Sequence, residues 1–362
     1  MGGSVARTHP TAGDRDGASV GMSWITDTGD DAYEEYDESS IRMRPNPKAN
    51  KPRTKQRPQH NDSVTGRVIS VDRGRYGVIV AEATDEEHRA IATRARELGR
   101  KSIVTGDFVD LVGDTSGVDG SLSRIVRVQP RSSLLRRSAD DTDAVERIIV
   151  ANADQMLIVV AAANPEPRPR LVDRYLVAAF DAGITPVLVL TKTDLADPSE
   201  FLANFAGLEL RVIRSSTDEF PIAELEGMLA GHTTVAVGHS GVGKSTLVNA
   251  LVPDANRAIG RVNDVTGRGR HTSSSTISYR IGSGWIVDTP GVRSFGLGHV
   301  NPDNILASFG DLALIAQKCP RGCTHLPDAP DCELVERAAK GELGDIGAMR
   351  LDSLQRLLST LA

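Results

Sequence analysis

The sequence of 362 residues is 40% hydrophobic and carries 42 Lys and Arg against 48 Asp and Glu, a formal net charge of −6. At roughly 100–200 residues per domain, this length predicts two or three domains, each able to bury a core. Three cysteines exclude a disulfide-stabilised mini-protein. No run of apolar residues is long enough to span a membrane, and no apolar leader is present, so we expect a cytoplasmic protein without membrane contact. The net charge excludes a chain that is basic throughout, but not local basic surfaces.

Residues 1–61 are predicted to be a disordered tail, because apolar periodicity is missing and the charges are segregated. Nine acids and one Arg fall between Asp14 and Glu38, whereas seven Lys and Arg and no acid fall between Ile41 and His60. The basic stretch is interpreted either as a solvated linker or as an arm that contacts a phosphate backbone. The acidic segment therefore masks a basic one in the net charge.

Residues 62–133 are predicted to form an OB-like β-barrel. Short segments with period-2 alternation and glycine-containing turns indicate five strands. These are residues 64–71, 76–80, 102–104, 107–112 and 123–128. Five short strands favour a small closed barrel. Such barrels often bind oligonucleotides, so we expect contact with RNA, although the fold alone does not establish it.

Residues 134–300 are predicted to form an α/β domain with a mostly parallel sheet, because apolar runs alternate with helical segments. The predicted strands are residues 155–161, 185–190, 210–213, 233–237 and 285–287. The predicted helices are residues 171–182, 197–206, 221–230 and 244–251. Ligands of such domains bind at the carboxyl ends of the strands.

A phosphate-binding loop follows the predicted strand at 233–237. The segment GHSGVGKS, residues 238–245, fits G-x-x-x-x-G-K-S and is followed by a helical segment. Backbone N–H groups of such a loop surround the β-phosphate, while Lys244 reaches the β/γ oxygens and Ser245 ligates Mg²⁺. Lys244 is also expected to be catalytic. The expected nucleotide contacts are Gly238, Ser240, Gly241, Val242, Gly243, Lys244, Ser245 and Thr246.

A second phosphate-contacting motif, Asp288-Thr289-Pro290-Gly291, ends the predicted strand at 285–287. Asp288 is expected near the magnesium ion, and the N–H of Gly291 is expected to meet the γ-phosphate. D-x-x-G is common by itself, but after a phosphate-binding loop it is typical of switch II of a GTPase.

The segment Thr191-Lys192-Thr193-Asp194 follows the predicted strand at 185–190 and fits the guanine motif [NT]-K-x-D. The Asp194 carboxylate can accept hydrogen bonds from N1–H and N2–H₂ of guanine, which adenine lacks, so ATP would leave a carboxylate unpaired. Lys192 is expected over the base plane, with Thr191 beside it. Ser215 and Ser216, one βα unit later, are predicted to offer N–H groups to guanine O6.

The order of these motifs differs from that of most GTPases, because the base-recognition motifs precede the phosphate-binding loop and DTPG comes last. The same sheet is kept if the usual termini are joined and the chain is cut between switch II and the TKTD strand. We therefore predict a circularly permuted P-loop GTPase domain in which switch II leads directly into the C-terminal part.

The Gly- and Ser-rich segment between the two phosphate motifs is predicted to be switch I. A hydroxyl from Thr272 or Ser273 would complete a magnesium shell with Ser245 and Asp288. The residue after Gly291 is Val292, which cannot orient water, so His271 is the leading candidate for that role; the alternative is an exposed His without one. Six Arg and two acids between 257 and 293 indicate a basic surface, interpreted as an RNA contact or as an aid to solubility.

All three cysteines lie near the end of the chain, together with a histidine, and residues 301–362 are predicted to be a zinc-binding domain. Cys319, Cys323, His325 and Cys332 make a complete tetrahedral set for one structural Zn²⁺. The alternative is free core cysteines, and no open position remains for a catalytic zinc. The helices that follow are predicted to pack through Leu334, Ala338, Ile346, Met349, Leu351, Leu354, Leu357 and Leu358.

From about Asp62 onward, this combination resembles the bacterial ribosome small-subunit-dependent GTPase A family. GHSGVGKS, GRGRHT and DTPGVRSFGL placed after TKTD, with the cysteines downstream, carry the resemblance. It implies a GTPase that acts late in 30S maturation, is stimulated by the 30S subunit and grips 16S rRNA with its barrel and zinc domains. The spacing C-x₃-C-x-H-x₆-C departs from the family's C-x₄-C-x-H-x₅-C, and Thr272-Ser273 replaces two threonines.

The leading hypothesis is a monomeric GTP hydrolase that docks on the 30S subunit with GTP and Mg²⁺ and leaves after hydrolysis to GDP. The alternative from another class is an RNA-binding scaffold whose nucleotide site is mainly structural. A third reading, an ATP-dependent P-loop enzyme, is disfavoured by Asp194.

Overall fold

The structure is a computed structural model that describes residues 60–99, 101–138, 146–216, 219–253, 276–289 and 295–361. The predicted tail lies almost wholly outside these ranges, and so do four predicted site residues: His271, Thr272, Ser273 and Gly291. Within the described ranges, no helix has the length and apolarity needed to cross a membrane.

The N-terminal part of the described chain is a closed five-stranded β-barrel. Its strands are β1 (Val64–Asp72), β2 (Arg75–Val80), β3 (His88–Arg94), β4 (Phe108–Gly113) and β5 (Ser123–Val128). They pair in the order β1-β2-β3-β5-β4, and β4 pairs back to β1, which closes the barrel and removes free edges. The prediction of an OB-like barrel is confirmed.

The prediction of a strand at 102–104 is wrong, and the third strand of the barrel is β3. β3 alternates correctly, with Ala90 and Ala92 buried, but alanine has a low β-propensity and charged residues flank it. The segment 102–104 is apolar for another reason. Ile103 packs into the core of the barrel from the connection between β3 and β4.

The second part is a six-stranded sheet that carries the phosphate-binding loop near its centre. Its strands are β8 (Gln155–Ala161), β9 (Thr185–Thr191), β10 (Arg211–Arg214), β11 (Thr233–Gly238), β12 (Ile277–Ile281) and β13 (Gly284–Asp288). Their order is β10-β9-β8-β11-β13-β12, parallel except for β12. β8 to β10 precede β11 in sequence yet extend the sheet on one side of it, as a circularly permuted GTPase requires.

A separate hairpin ladder of β6 (Leu134–Ser138) and β7 (Glu146–Ala151) connects the barrel to this sheet and was not predicted. The helices of the sheet domain are α1 (Pro169–Asp181), α2 (Ser199–Ala203), α3 (Ile222–Leu229) and α4 (Lys244–Leu251). The prediction of a helix over 197–206 is too long. Pro198 stands at the N-cap of α2, and the Asn204 side chain donates to the carbonyls of Glu200 and Phe201 at its end.

The C-terminal part is helical and shares one apolar core with the sheet domain. Its helices are α5 (Pro302–Ala307), α6 (Gly310–Ala316), α7 (Glu333–Ala339) and α8 (Gly344–Leu358). Leu351 and Leu354 of α8 belong to the same buried cluster as Tyr175 of α1. Ile346 and Met349, predicted to pack there, are 71% and 46% exposed. At 3.6 residues per turn they lie about 140° and 200° from Leu351, on the outer face of α8.

The barrel and the sheet domain are joined edge to edge, because β1 pairs antiparallel with β12 through Ser70 and Ile277. Arg67 reinforces this joint from β1. Its guanidinium lies 4.4 Å from the ring centre of Phe108, pairs with Glu82 at 2.8 Å and donates to Thr233 Oγ1 at 3.2 Å. The joint therefore fixes the barrel to the strand that follows the predicted switch I.

Arg280, which lies in the segment predicted to form a basic surface, contacts residues of this joint. Its guanidinium lies 5.0 Å from the ring centre of Trp285 and pairs with Glu82 and Glu87 at 3.6 and 3.3 Å. Two carboxylates therefore balance its charge within the protein, and a contact of this residue with RNA stays a prediction.

Candidate functional site

The predicted nucleotide-contacting motifs meet at one edge of the parallel sheet. β9, β10, β11 and β13 run in the same direction, so their carboxyl ends share this edge. They deliver Thr191, Ser215, Gly238 and Asp288 in turn. The described motifs therefore form a single site, although they are spread over about a hundred residues of chain.

The phosphate-binding loop needs glycine at both of its ends. Gly243 has a φ of 93°, a left-handed conformation from which α4 begins. A Cβ at Gly238 would lie 2.6 Å from the carbonyl oxygen of Val159. Ser245 and Thr246 are exposed in the first turn of α4. Free N–H groups and the positive end of the helix dipole at this turn favour an anion such as a phosphate.

Lys244 links the phosphate-binding loop to the DTPG segment, because its ammonium group pairs with Asp288 Oδ1. The two side chains are only 13% and 22% exposed, which strengthens the pair relative to one in water. Thr289, which is 1% exposed, donates from Oγ1 to the carbonyl of Ala236 in β11 at 2.8 Å. Both contacts fix the start of the DTPG segment against the strand that carries the phosphate-binding loop.

The TKTD segment contacts the phosphate-binding loop directly. Thr191, which is buried, donates from Oγ1 to the carbonyl of Val242 at 2.5 Å. Lys192 Nζ donates to the carbonyl of Gly241 at 2.9 Å and to that of Asn164. The segments predicted to recognise the base and the phosphates are therefore bonded to each other.

Asn164 is a residue that sequence reasoning missed. It lies in the turn after β8, and its carbonyl oxygen accepts a hydrogen bond from Lys192 Nζ. The available signal was the Asn-Pro dipeptide that ends the apolar run at 155–161, because parallel strands bring such turns to the ligand edge.

The second base loop is tied to the first. Ser215 N–H donates to the carbonyl of Leu190 at 2.7 Å, and its own carbonyl accepts from both N–H and Oγ1 of Thr193 at 3.2 Å. Ser216 Oγ accepts from the N–H of Glu219 at 2.9 Å. These bonds place Ser215 and Ser216 beside the TKTD turn, which ends at the exposed Asp194.

Phe295, which follows the predicted switch II in the chain, contacts helix α1. Phe295, only 1% exposed, packs edge to face on Tyr175 of α1 with ring centres 5.8 Å apart. Arg174 of the same helix donates to the Phe295 carbonyl at 3.2 Å. Helix α1 also contacts α5 and α8. Sequence reasoning missed this anchor, because the partners are more than a hundred residues apart.

The four predicted zinc ligands converge. The ligand atoms of Cys319, Cys323, His325 and Cys332 all lie within 4.8 Å of one another. The sulfurs of Cys319 and Cys332 are 3.9 Å apart, and Cys332 Sγ is 3.7 Å from His325 Nδ1. A tetrahedral zinc with Zn–S bonds of about 2.3 Å places two sulfurs about 3.8 Å apart, whereas a disulfide needs about 2.05 Å. The spacing therefore fits a metal site.

The surroundings of His325 support the same assignment. Burial lowers the pKa of His325, which favours the neutral imidazole that binds metals. Its carbonyl accepts from Gln355 Nε2 of α8 at 3.0 Å, and Cys332 is 1% exposed in the core shared with α8. The site is therefore tied into the fold of the C-terminal part, although its ligand spacing departs from the family pattern.

Comparisons with known proteins agree with this geometry. The family model described as RsgA GTPase matches residues 128–298. The small ribosomal subunit biogenesis GTPase RsgA of Pseudomonas aeruginosa strain LESB58 is 36% identical over 311 residues, which are 82% of this chain and 85% of that protein. The RsgA of Chromohalobacter salexigens is 36% identical over 298 residues, 79% of this chain and 84% of that protein.

Two solved structures share the fold. YjeQ from Thermotoga maritima is 26% identical with a TM-score of 0.60, and the match covers 83% of this chain and 98% of that one. YloQ, described as a circularly permuted GTPase, is 22% identical with a TM-score of 0.60 over 84% of this chain and 96% of that one; it bears on the fold alone. From the identity and coverage of the curated relatives, the chain belongs to the RsgA family of circularly permuted GTPases.

Proposed function

We propose that this GTPase binds the 30S ribosomal subunit through its 16S rRNA late in maturation, that the subunit stimulates hydrolysis of GTP to GDP and phosphate, and that hydrolysis releases the protein. It works as a cytoplasmic monomer. The observation that carries the proposal is the contact of the TKTD segment with the phosphate-binding loop through Thr191 and Lys192. The relatives are small ribosomal subunit biogenesis GTPases by name, which supports the small subunit as the partner.

The contacts within the site support the following nucleotide roles. Asp194 and the loop at Ser215 and Ser216 select guanine, and the phosphate-binding loop from Gly238 to Thr246 holds the phosphates. Lys244 binds the β/γ oxygens and stabilises the charge that develops on them.

Oxygen groups at the carboxyl end of β13 and at the amino end of α4 fit a magnesium ion. The exposed Ser245 hydroxyl lies in the first turn of α4, and the Asp288 carboxylate is next to Lys244. These two residues would hold the ion, with a hydroxyl from Thr272 or Ser273, and Gly291 would offer its N–H to the γ-phosphate. The magnesium ion would neutralise part of the negative charge of the phosphates.

Transmission to the C-terminal part uses the anchor at Phe295. Asp288 and Thr289 begin the DTPG segment beside the phosphate-binding loop. Phe295, which follows this segment in the chain, packs on α1, and α1 contacts α5 and α8. One zinc ion at Cys319, Cys323, His325 and Cys332 would complete a closed structural site. A rearrangement of switch II on hydrolysis therefore has a packed route to the zinc domain, which with the barrel would contact rRNA.

GTP turnover with and without purified 30S particles tests the proposal. We expect the particles to raise the turnover rate by tenfold or more, with GDP but not ATP competing for binding. No stimulation would favour the scaffold alternative, and competition by ATP would contradict the role of Asp194.

We expect His271→Ala to bind GTP normally but to lose 30S-stimulated turnover, by roughly 100-fold, because no group would hold the attacking water. Single-turnover hydrolysis on saturating 30S particles measures this. His232→Gln is the matched control, since His232 lies beside the amino end of β11, at the opposite edge of the sheet, and pairs with Asp154. An unchanged stimulated rate in His271→Ala would remove His271 from the mechanism.

A further inference from the structure

We propose that Thr105, in the barrel, is a positioning residue for GTP hydrolysis; the inference rests on the proposed function. Thr105 lies in the connection between β3 and β4 and is 1% exposed. Its Oγ1 donates to the carbonyl of Thr276 at 3.0 Å. Thr276 is the first described residue after the segment that carries His271, Thr272 and Ser273. A barrel side chain therefore bonds the residue directly before β12.

The loop that carries Thr105 is held rigidly within the barrel. The carboxylate of Asp107, which is fully buried, accepts from the N–H of Val104 at 2.8 Å and from Arg131 through two nitrogens at 2.6 and 2.8 Å. Gly106 N–H donates to the carbonyl of Val68 in β1 at 2.8 Å. A bidentate pair combined with backbone bonds fixes orientation as well as distance, so Thr105 has a defined position relative to the barrel.

The same loop also meets the start of the sheet domain. The carbonyl of Thr105 accepts from Ala151 N–H at 3.0 Å, and Asn152 Nδ2 donates to the carbonyl of Gly106 at 2.9 Å. A Cβ at Gly106, whose φ is 91°, would lie 2.0 Å from the Ala151 carbonyl oxygen. Barrel, connecting hairpin and β12 therefore converge at this loop, and Thr105 supplies the side-chain bond to β12.

Ile277, the residue after Thr276, lies on the strand next to the one that carries Asp288. Ile277 pairs with Ser70 of the barrel on one side and with Asp288 on the other. Asp288 in turn pairs with Lys244. Strands in a sheet are about 4.8 Å apart, so β1 lies only about 10 Å from the backbone of Asp288.

A misplaced start of β12 would displace Asp288, because Asp288 pairs with Ile277 across the sheet. Small errors in the position of a catalytic group lower the rate of the chemical step more than they lower affinity. We therefore expect loss of the Thr105 hydroxyl to affect kcat rather than KM.

The test is GTP turnover by full-length Thr105→Val, which keeps the shape of the side chain but removes the donor. We expect kcat to fall about fivefold, with KM for GTP changed less than about twofold. Thr105→Ser keeps the hydroxyl and should restore kcat to near the wild-type value. Thr105→Ala, which removes the same donor without adding a methyl group, is the second variant if Thr105→Val does not fold.

Thr233→Val is the matched control, because it removes another hydroxyl at the joint, the acceptor of Arg67 at the amino end of β11. We expect its kcat to stay at the wild-type value. An unchanged kcat in both Thr105→Val and Thr105→Ala, or an equal fall in Thr233→Val, would overturn the positioning role. Absence of any GTP turnover by the wild-type chain would overturn the proposed function, and this inference with it.

Discussion

Replacing Lys244 with alanine is expected to lower GTP turnover by at least about 100-fold and to abolish nucleotide-dependent docking on 30S particles. The change removes the cation at the β/γ-phosphates, where charge develops during phosphoryl transfer. It also leaves the carboxylate of Asp288, only 22% exposed, without the ammonium group that pairs with it. The unpaired Asp288 carboxylate would repel the phosphates and shift its position. Both effects lower turnover further than the loss of the lysine alone. Turnover assays and GTP-dependent co-sedimentation with 30S particles measure both effects.

Lys340→Ala is the control for this change, because Lys340 is an exposed lysine of the C-terminal part that pairs with the nearby Glu336. Lys340→Ala should unfold close to the wild-type Tm, since an exposed ion pair contributes little to stability. Lys244→Ala should lower the Tm, because it leaves the Asp288 carboxylate, only 22% exposed, without its partner. If Lys244→Ala retained GTP hydrolysis and 30S association, the assignment of the phosphate-binding loop would be wrong.

The sheet domain could be predicted from the sequence because its strands are continuous apolar runs. β8 is buried along its whole length and β11 likewise, so their segments stand out against the surrounding helices. β3 could not be predicted in the same way, because its buried positions are alanines that give little apolar contrast. Strand propensity thus identified the continuous apolar runs and missed β3, whose packing depends on small side chains. It also missed the shorter strands β6, β7 and β12.

The candidate site was predictable where one local segment performs one chemical task. GHSGVGKS and TKTD each carry their chemistry in consecutive residues, and the parallel strands bring them together. The joint between barrel and sheet was not predictable, because Ser70 and Ile277 are about two hundred residues apart and their register depends on tertiary packing. For the same reason, the pairing of Arg280 with Glu82 and Glu87 could not be predicted from the sequence.

The second large effect is expected from Cys332→Ser, which should abolish stoichiometric zinc binding and lower the Tm by roughly 10 °C or more. Cys332 is 1% exposed, and its sulfur lies 3.9 Å from that of Cys319 and 3.7 Å from His325 Nδ1. A serine hydroxyl is a poor zinc ligand, and structural zinc contributes directly to folding free energy. The residue also shares a core with Leu334 and α8, so losing the metal releases packing against α1.

Metal analysis and thermal unfolding of the full chain test this expectation, with Thr324→Ala as the control because Thr324 is an exposed non-ligand between Cys323 and His325. All three cysteines of the chain belong to the site, so thiol titration of the wild-type chain reports on the metal alone. Its three thiols should become reactive only as zinc is released. The nucleotide-site contacts lie outside this module, so GTP affinity should change much less than the Tm. A Cys332→Ser chain that kept one zinc ion and the wild-type Tm would contradict the structural role of the cluster.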